Sequence, residues 1–442
     1  LLFAAIAAIV AWILSVTFGD FLQWLRSGRV MASVFKLAGG TALGQGLVVV
    51  TMPLLTRLYS PEDMGAFSLF MAFIGFAGVA VSLRYDMAIM SASSDQEADD
   101  LLRLSTYLLP FTSAIATLAL LLLIRFDALS FSRLPSWSLG AAFLLLGATG
   151  FFTAFRFWVI RSGRVGIVGR ASVGQGAARA IVPLILSLIS TGWFGLMMGE
   201  LMARLVGLGG FLGHARRVGL SWRLNLGRLW EIARRYVSYP KMVLPSSAID
   251  ALGAALPVPI IATLFGIRAA GEYALIYRLA AIPASLVSGS VADVLHARMV
   301  TAMNSDQSSL RPLLGLAVRK LLLLALLVYL PVSLVAPLAA GFLFGPLWAE
   351  SGVVFSALAP LFIAAFIVSP LSRMLLVVKR QERKLVFDLA FLILPLLALT
   401  LSASIGFVTS LWAFSLTGAL TYLVYFVVIY RATPTGVESG KL

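Results

Sequence analysis

Between Leu321 and Phe344 the chain reads LLLLALLVYLPVSLVAPLAAGFLF, 24 residues without a charge. A helix of about 20 apolar residues crosses the roughly 30 Å hydrocarbon core of a bilayer. Similar runs recur along the whole chain, and they predict twelve spans at 34–56, 65–83, 101–124, 138–160, 171–190, 193–213, 242–265, 272–292, 318–340, 351–372, 385–405 and 408–430. Lipid offers no partner to backbone N–H and C=O groups, so segments of this length satisfy themselves as helices. The fold class that follows is all-α, a polytopic membrane protein. Composition agrees, since 60% of the 442 residues are hydrophobic and 12% are charged, more apolar surface than a water-soluble core absorbs.

The net charge of +15 raises the question of a nucleic-acid partner, and the placement of the basic residues answers it. The even-numbered connectors and the C-terminal tail hold 23 Lys and Arg, whereas the odd-numbered connectors hold four: Arg57, Arg125, Arg133 and Arg268. Such alternation is a topology signal, with the basic loops and the C-terminus in the cytoplasm. No nucleic-acid partner is expected. Tyr59, Trp137, Trp193, Trp348 and Trp412 fall at the opposite helix ends, where aromatic belt residues are expected.

Several chemistries lack their material. There is no cysteine, which excludes disulfides and thiolate metal sites. His214 and His296 are the two histidines, and both are read as lying in polar connectors, so neither a histidine metal cluster nor a catalytic triad is expected. The glycine-rich GGTALGQG (39–46) is not followed by the Lys-Ser/Thr of a phosphate loop. Instead, Gly40 and Gly44 stand at the spacing that lets helices pack closely or bend. An integral-membrane enzyme would need a large loop or an added domain, yet the longest external connector, 125–137, has 13 residues. No enzyme activity and no cofactor are expected.

LLTRLYSPEDMGAFSLFMAF, Leu54 to Phe73, returns as IIATLFGIRAAGEYALIYRL, Ile260 to Leu279, at a constant offset of 206 residues. Pro53 falls on Pro259, Tyr59 on Phe265, Gly65 on Gly271 and Phe67 on Tyr273. Six spans separate the copies, so both halves begin on the same side of the membrane. Two six-helix lobes related by a pseudo-twofold axis along the membrane normal follow, an arrangement of transporters that rock around a central cleft. The lobes are placed at 31–213 and 242–442. Residues 214–241 form a basic linker, read as an amphipathic segment on the anionic inner leaflet. Residues 1–30 are read as an appended membrane or interfacial segment.

The stretch LTRLYSPEDMGAFSLF with SLRYDMAIM (82–90), then YPKMVLPSSAIDALGAALPVPIIATLFG and GEYALIYRLAAIP (239–283), and SPLSRMLLVVKRQ (369–381) resemble the polysaccharide-biosynthesis flippases. These belong to the multidrug/oligosaccharidyl-lipid/polysaccharide exporter superfamily. The resemblance covers about residues 31–431. It implies a bacterial inner-membrane protein that moves an undecaprenyl-pyrophosphate-linked oligosaccharide from the cytoplasmic to the periplasmic leaflet by alternating access. Polysaccharide polymerase machinery is a candidate partner that the sequence itself does not identify. A cation-coupled drug exporter of the same fold and a lipid II flippase are the alternatives.

Four arginines lie inside predicted spans: Arg156, Arg179, Arg204 and Arg278. A charge at membrane depth costs roughly 2.5–3.5 kcal/mol on insertion scales, so each needs a partner or a wet cavity. Guanidinium forks match pyrophosphate oxygens, and a cationic cavity is the functional reading. The competing readings are local. Arg204 stands four residues after Glu200 and the two can neutralise each other. Arg156 is near enough to a helix end to snorkel. Arg179 has no acid within helical reach, and Arg278 lies in the repeated segment. Arg84, at the inner end of the second span, is an entrance contact or a topology anchor. For a coupling ion, H+ or Na+, Asp250 is the first candidate, read as buried between Pro245 and Pro257, and Glu200 the second. Asp293 and Asp388 are read as interfacial, and Asp95, Glu97, Asp99 and Asp100 as a solvated loop.

Overall fold

The computed structural model describes residues 29–189, 192–222, 225–305, 307–378, 380 and 382–434; residues 1–28 of the appended segment lie outside this set. The described chain is a succession of helices, with no strand among the described residues. In the first half these are α1 (Arg29–Leu58), α2 (Pro61–Gly78), α3 (Asp95–Arg125), α4 (Ser138–Arg161), α5 (Val165–Leu186) and α6 (Phe194–Val218). A short helix α7 (Leu226–Arg235) lies in the linker. The second half holds α8 (Tyr239–Phe265), α9 (Ile267–Ser305), α10 (Leu310–Phe344), α11 (Ser351–Val368), α12 (Glu382–Leu401) and α13 (Phe407–Ala432).

Among the described residues, nine helices are long and apolar enough to cross a membrane on those grounds alone. The three spanning helices outside that set are α2, α5 and α9. Two of them, α5 and α9, carry the membrane arginines Arg179 and Arg278. The helices also run past the predicted boundaries at the basic end. Both histidines, read above as connector residues, are helical: His214 is buried in α6 against Trp158, and His296 lies on α9.

Local chemistry sets the ends. Ser60 caps α2 through a reciprocal box, its Oγ accepting from the Asp63 N–H at 3.1 Å while Asp63 accepts from the Ser60 N–H. Ser94 and Asn225 cap α3 and α7 in the simpler way. Close packing of α1 on α5 depends on the glycines singled out in the sequence. A Cβ on Gly40 or Gly44 would stand 2.4 Å from a carbonyl oxygen of Gly169 or Ser172, so only glycine permits this approach.

The two halves repeat the same packing plan. Contacts of α1 with α5, α5 with α6, α3 with α4, α4 with α6 and α2 with α4 recur as α8 with α12, α12 with α13, α10 with α11, α11 with α13 and α9 with α11. The second set encloses an apolar core of its own, while one of the first set's two cores also takes in Leu275, Ala340, Phe344 and Trp348 of the second half. Between the lobes the main contact is α2 against α9, the two helices that carry the sequence repeat. There Gly65 and Gly271 meet. A Cβ on Gly65 would lie 1.9 Å from the Ile267 oxygen, and one on Gly271 would lie 1.9 Å from the Pro61 oxygen. Pro61 and Ile267 are themselves 206 residues apart, so the contact is symmetric and marks the pseudo-twofold axis.

Polar contacts that join the lobes gather at the face opposite the linker, apart from that of Tyr239 at the start of α8, whose Oη donates to Ser91 Oγ at 2.7 Å. Trp348 Nε1 donates to the Thr56 oxygen at 2.8 Å, Arg57 Nη2 to the Phe342 oxygen at 3.0 Å, and Ser130 Oγ to Thr263 Oγ1 at 3.2 Å. Arg268 and Glu62 add a 3.6 Å ion pair. This closure overturns part of the belt reading. Trp348, Trp193 and Tyr59 are buried, Tyr59 donating to the Pro183 oxygen at 2.8 Å. Each seals protein against protein, while Trp137 and Trp412 remain exposed.

Candidate functional site

The α5–α6 hairpin builds the first part of the site. Arg179 Nε donates to Glu200 Oε2 at 2.5 Å and its Nη2 to Oε1 at 2.9 Å, a two-pronged grip. Arg204, one turn beyond Glu200, donates from Nη2 to the same Oε1 at 3.1 Å. The guanidinium of Arg204 also lies 5.7 Å from the Phe152 ring centroid, within cation–π range. Glu200 is buried. The sequence reading found no acid for Arg179 along its own helix; its partner comes from the neighbouring one, 21 residues away.

Two more arginines complete the cluster. Arg156, on α4 one turn after Phe152, lies within charge–charge range of Arg204. Arg278, from the second lobe, lies within that range of both Glu200 and Arg179. Arg156 and Arg278 are exposed, and among the described residues they make no ion pair or hydrogen bond. Three guanidiniums, those of Arg179, Arg204 and Arg278, therefore act on the one carboxylate of Glu200, and Arg156 adds its charge beside Arg204. The site also holds buried polar atoms without partners, Arg204 Nε and the Gln175 amide nitrogen, the latter one turn before Arg179 on α5. Gln175 was missed in the sequence, although a buried amide at helical spacing from a membrane arginine is a usable signal.

The remaining candidates lie elsewhere. Arg84 occupies a left-handed backbone position, φ 64°, directly after Leu83 at φ 50°. The second span thus ends earlier than expected, at Gly78, and Arg84 opens a short helix, Tyr85–Ala88, with its Nε buried and unpartnered. Asp250 is corrected: its side chain is 55% exposed rather than buried. Lys384 Nζ lies 3.9 Å from it and 2.5 Å from Asp388, so α12 supplies a cation to both carboxylates. Among the described residues no group of three or more acidic, histidine or cysteine side chains is arranged to hold a metal ion.

The acidic stretch at the start of α3 is also corrected. Glu97 and Asp100 are buried rather than solvated. Glu97 accepts from Tyr236 Oη at 2.9 Å and the Ser93 N–H at 3.1 Å and pairs with Arg235. Asp100 pairs with Arg103 at 2.7 Å and Arg228 at 2.9 Å, and Asp99 accepts from Trp158 Nε1 at 2.7 Å. These acids clasp α7 onto the first lobe. Only Asp95 keeps a fully exposed carboxylate, 3.6 Å from Arg161.

Residues 54–353 match the family described as polysaccharide biosynthesis protein. The chain belongs to that family. Solved structures give the same fold at low identity. An inward-facing multidrug resistance MATE family transporter of the MOP superfamily superposes with a TM-score of 0.70 at 16% identity, over 92% of this chain and 100% of that one. The outward-facing conformation of a MATE family transporter gives 0.57 at 15% identity, over 93% and 98%. The lipid II flippase MurJ, inward closed, gives 0.63 at 12% identity, over 91% and 89%. No curated protein sequence matches significantly. The polysaccharide biosynthesis protein described here thus has a MATE- and MurJ-like transporter fold.

Proposed function

We propose that the protein is a flippase that moves an undecaprenyl-pyrophosphate-linked oligosaccharide from the cytoplasmic to the periplasmic leaflet of the bacterial inner membrane. The observation that carries this reading is the cluster of Arg179, Arg204 and Arg278, from both lobes, around the single carboxylate of Glu200, with Arg156 beside Arg204. An excess of guanidinium in a cleft suits a pyrophosphate, whose oxygens take forked hydrogen bonds. The lipid tail stays in the bilayer while the diphosphate and sugars pass between the lobes.

The linker face is assigned to the cytoplasm from the 23-to-four bias of basic residues, which puts the C-terminus there too. Lobe contacts gathered at the opposite face then describe an inward-facing state, and parting of the α2–α9 contact at that face would open the outward-facing one. Asp250 and Glu200 both have cationic side-chain partners, so coupling to H+ or Na+ through either requires that partner to let go first. The drug-exporter alternative predicts a carboxylate-rich cleft, the reverse of the charge balance here. A lipid II flippase would use the same chemistry, and the mass of the cargo separates the two.

The test is deletion of the gene in its host, with lipid-linked oligosaccharides quantified and their leaflet probed by an impermeant reagent. Complete repeat units held on the cytoplasmic side, with surface polymer lost, are expected. Normal pools with normal polymer would sink the proposal. Periplasmic accumulation would place the protein after translocation, among the polymerase partners.

A further inference from the structure

We infer that Glu200 is a displaceable internal anion, occupying in the empty site the place that a phosphate group of the substrate takes when it binds. The inference rests on the pyrophosphate reading above and adds how the site fills and empties. Arg179 holds Glu200 with the same two-pronged geometry that a guanidinium offers a phosphate. Arg204 shares an oxygen of that carboxylate at 3.1 Å and leaves its own Nε buried without a partner. Neither arginine is fully committed to structure, because one carboxylate is divided between two forks. Arg179 and Arg204, partly buried on either side of Glu200, would repel each other without it, so an anion is needed whenever substrate is absent.

The pairing sets an order of events. Arg278 and Arg156 are exposed and unpaired, so an incoming diphosphate meets them first. It next competes for Arg204, which gives Glu200 a single hydrogen bond, and last for Arg179, which gives two. Release runs in reverse: Glu200 re-pairs with Arg179 and Arg204 and expels the anion. A site of four free arginines would hold a pyrophosphate too tightly to turn over, and a competing carboxylate built into the wall prevents this. Glu200 is therefore a positioning residue that tunes affinity against release.

Binding of inorganic pyrophosphate to the full chain in lipid nanodiscs tests this, together with transport of the lipid-linked cargo. Glu200→Gln is expected to bind pyrophosphate about tenfold tighter or more, because the competing charge is gone, while transport falls. Glu200→Asp, which keeps the charge but shortens the reach, should bind with intermediate affinity, and it decides the matter if the Gln variant does not fold. Tighter binding with slower transport supports the inference. Suppose wild type binds pyrophosphate, Arg278→Gln binds it more weakly, and both Glu200 variants bind no better than wild type. Then Glu200 only braces the arginines, and the flippase reading survives alone. Pyrophosphate binding by none of the proteins would overturn both.

Discussion

Alanine at Gly65 should drive the lobes apart at the face opposite the linker. Its Cβ would stand 1.9 Å from the Ile267 oxygen, whereas a carbon–oxygen contact settles at about 3.3 Å. The shortfall is about 1.4 Å, and it falls on backbone, which cannot swing away as a side chain would. Overpacking of this kind costs about 1–3 kcal/mol. If the contact exists only in the closed arrangement, that cost shifts the conformational equilibrium by about 5- to 150-fold. The chain contains no cysteine, so a single reporter is clean. Thr56 is 2% exposed beneath the Trp348 contact. Thr56→Cys should react slowly with a water-soluble maleimide, and adding Gly65→Ala should raise its rate within that range. An unchanged rate in a protein that still folds would refute the reasoning, since the lobes would have closed despite the added methyl.

Arg278→Gln should lower cargo binding about ten- to hundredfold, the worth of a hydrogen bond to a charged group, and leave the melting temperature unchanged or raised; a clear loss of stability would mean that Arg278 is structural. Glu97→Gln with Asp100→Asn should free α7 from the first lobe at a cost of about 1–3 kcal/mol, seen as faster tryptic cleavage at Arg228, Arg234 and Arg235. Cleavage at the wild-type rate would count against the clasp. Gly44→Val should destabilise the protein by about 2 kcal/mol or more through the 2.4 Å approach to the Ser172 oxygen. Gly46→Val, with nothing within 4 Å of its Cβ, should be close to neutral, and equal effects would discount the α1–α5 contact.

The sequence shows a spanning helix plainly because lipid permits no other use for such a run. It shows the lobes because the α2 and α9 hairpins kept their residues in register. It does not show partners that arrive from elsewhere in the chain. Glu97 and Asp100 look like a solvated loop until Arg235 and Arg228, 138 and 128 residues away, are folded against them. Seven basic residues in 214–241 facing four acids at 95–100 was the available hint. Arg179 looked isolated because helical spacing reveals neighbours on one helix only, and Glu200 lies across a hairpin. Asp250 looked buried because prolines flank it, but proline content says nothing about which face of a helix meets a neighbour. The buried Trp348 and Tyr59 show the same limit, since position at a helix end does not distinguish lipid from neighbouring protein.

The Gly65–Gly271 contact is isologous in form: each glycine sits under a carbonyl that is the counterpart of the one above its own. That is how two identical subunits meet across a dyad, here between the two halves of one chain. Neither position can accept a side chain by adjusting its own half, because the obstructing atom belongs to the other. The two glycines therefore behave as one shared site, and a double-mutant cycle between them should show strong non-additivity. Once Gly65→Ala has parted the helices, Gly271→Ala should add little.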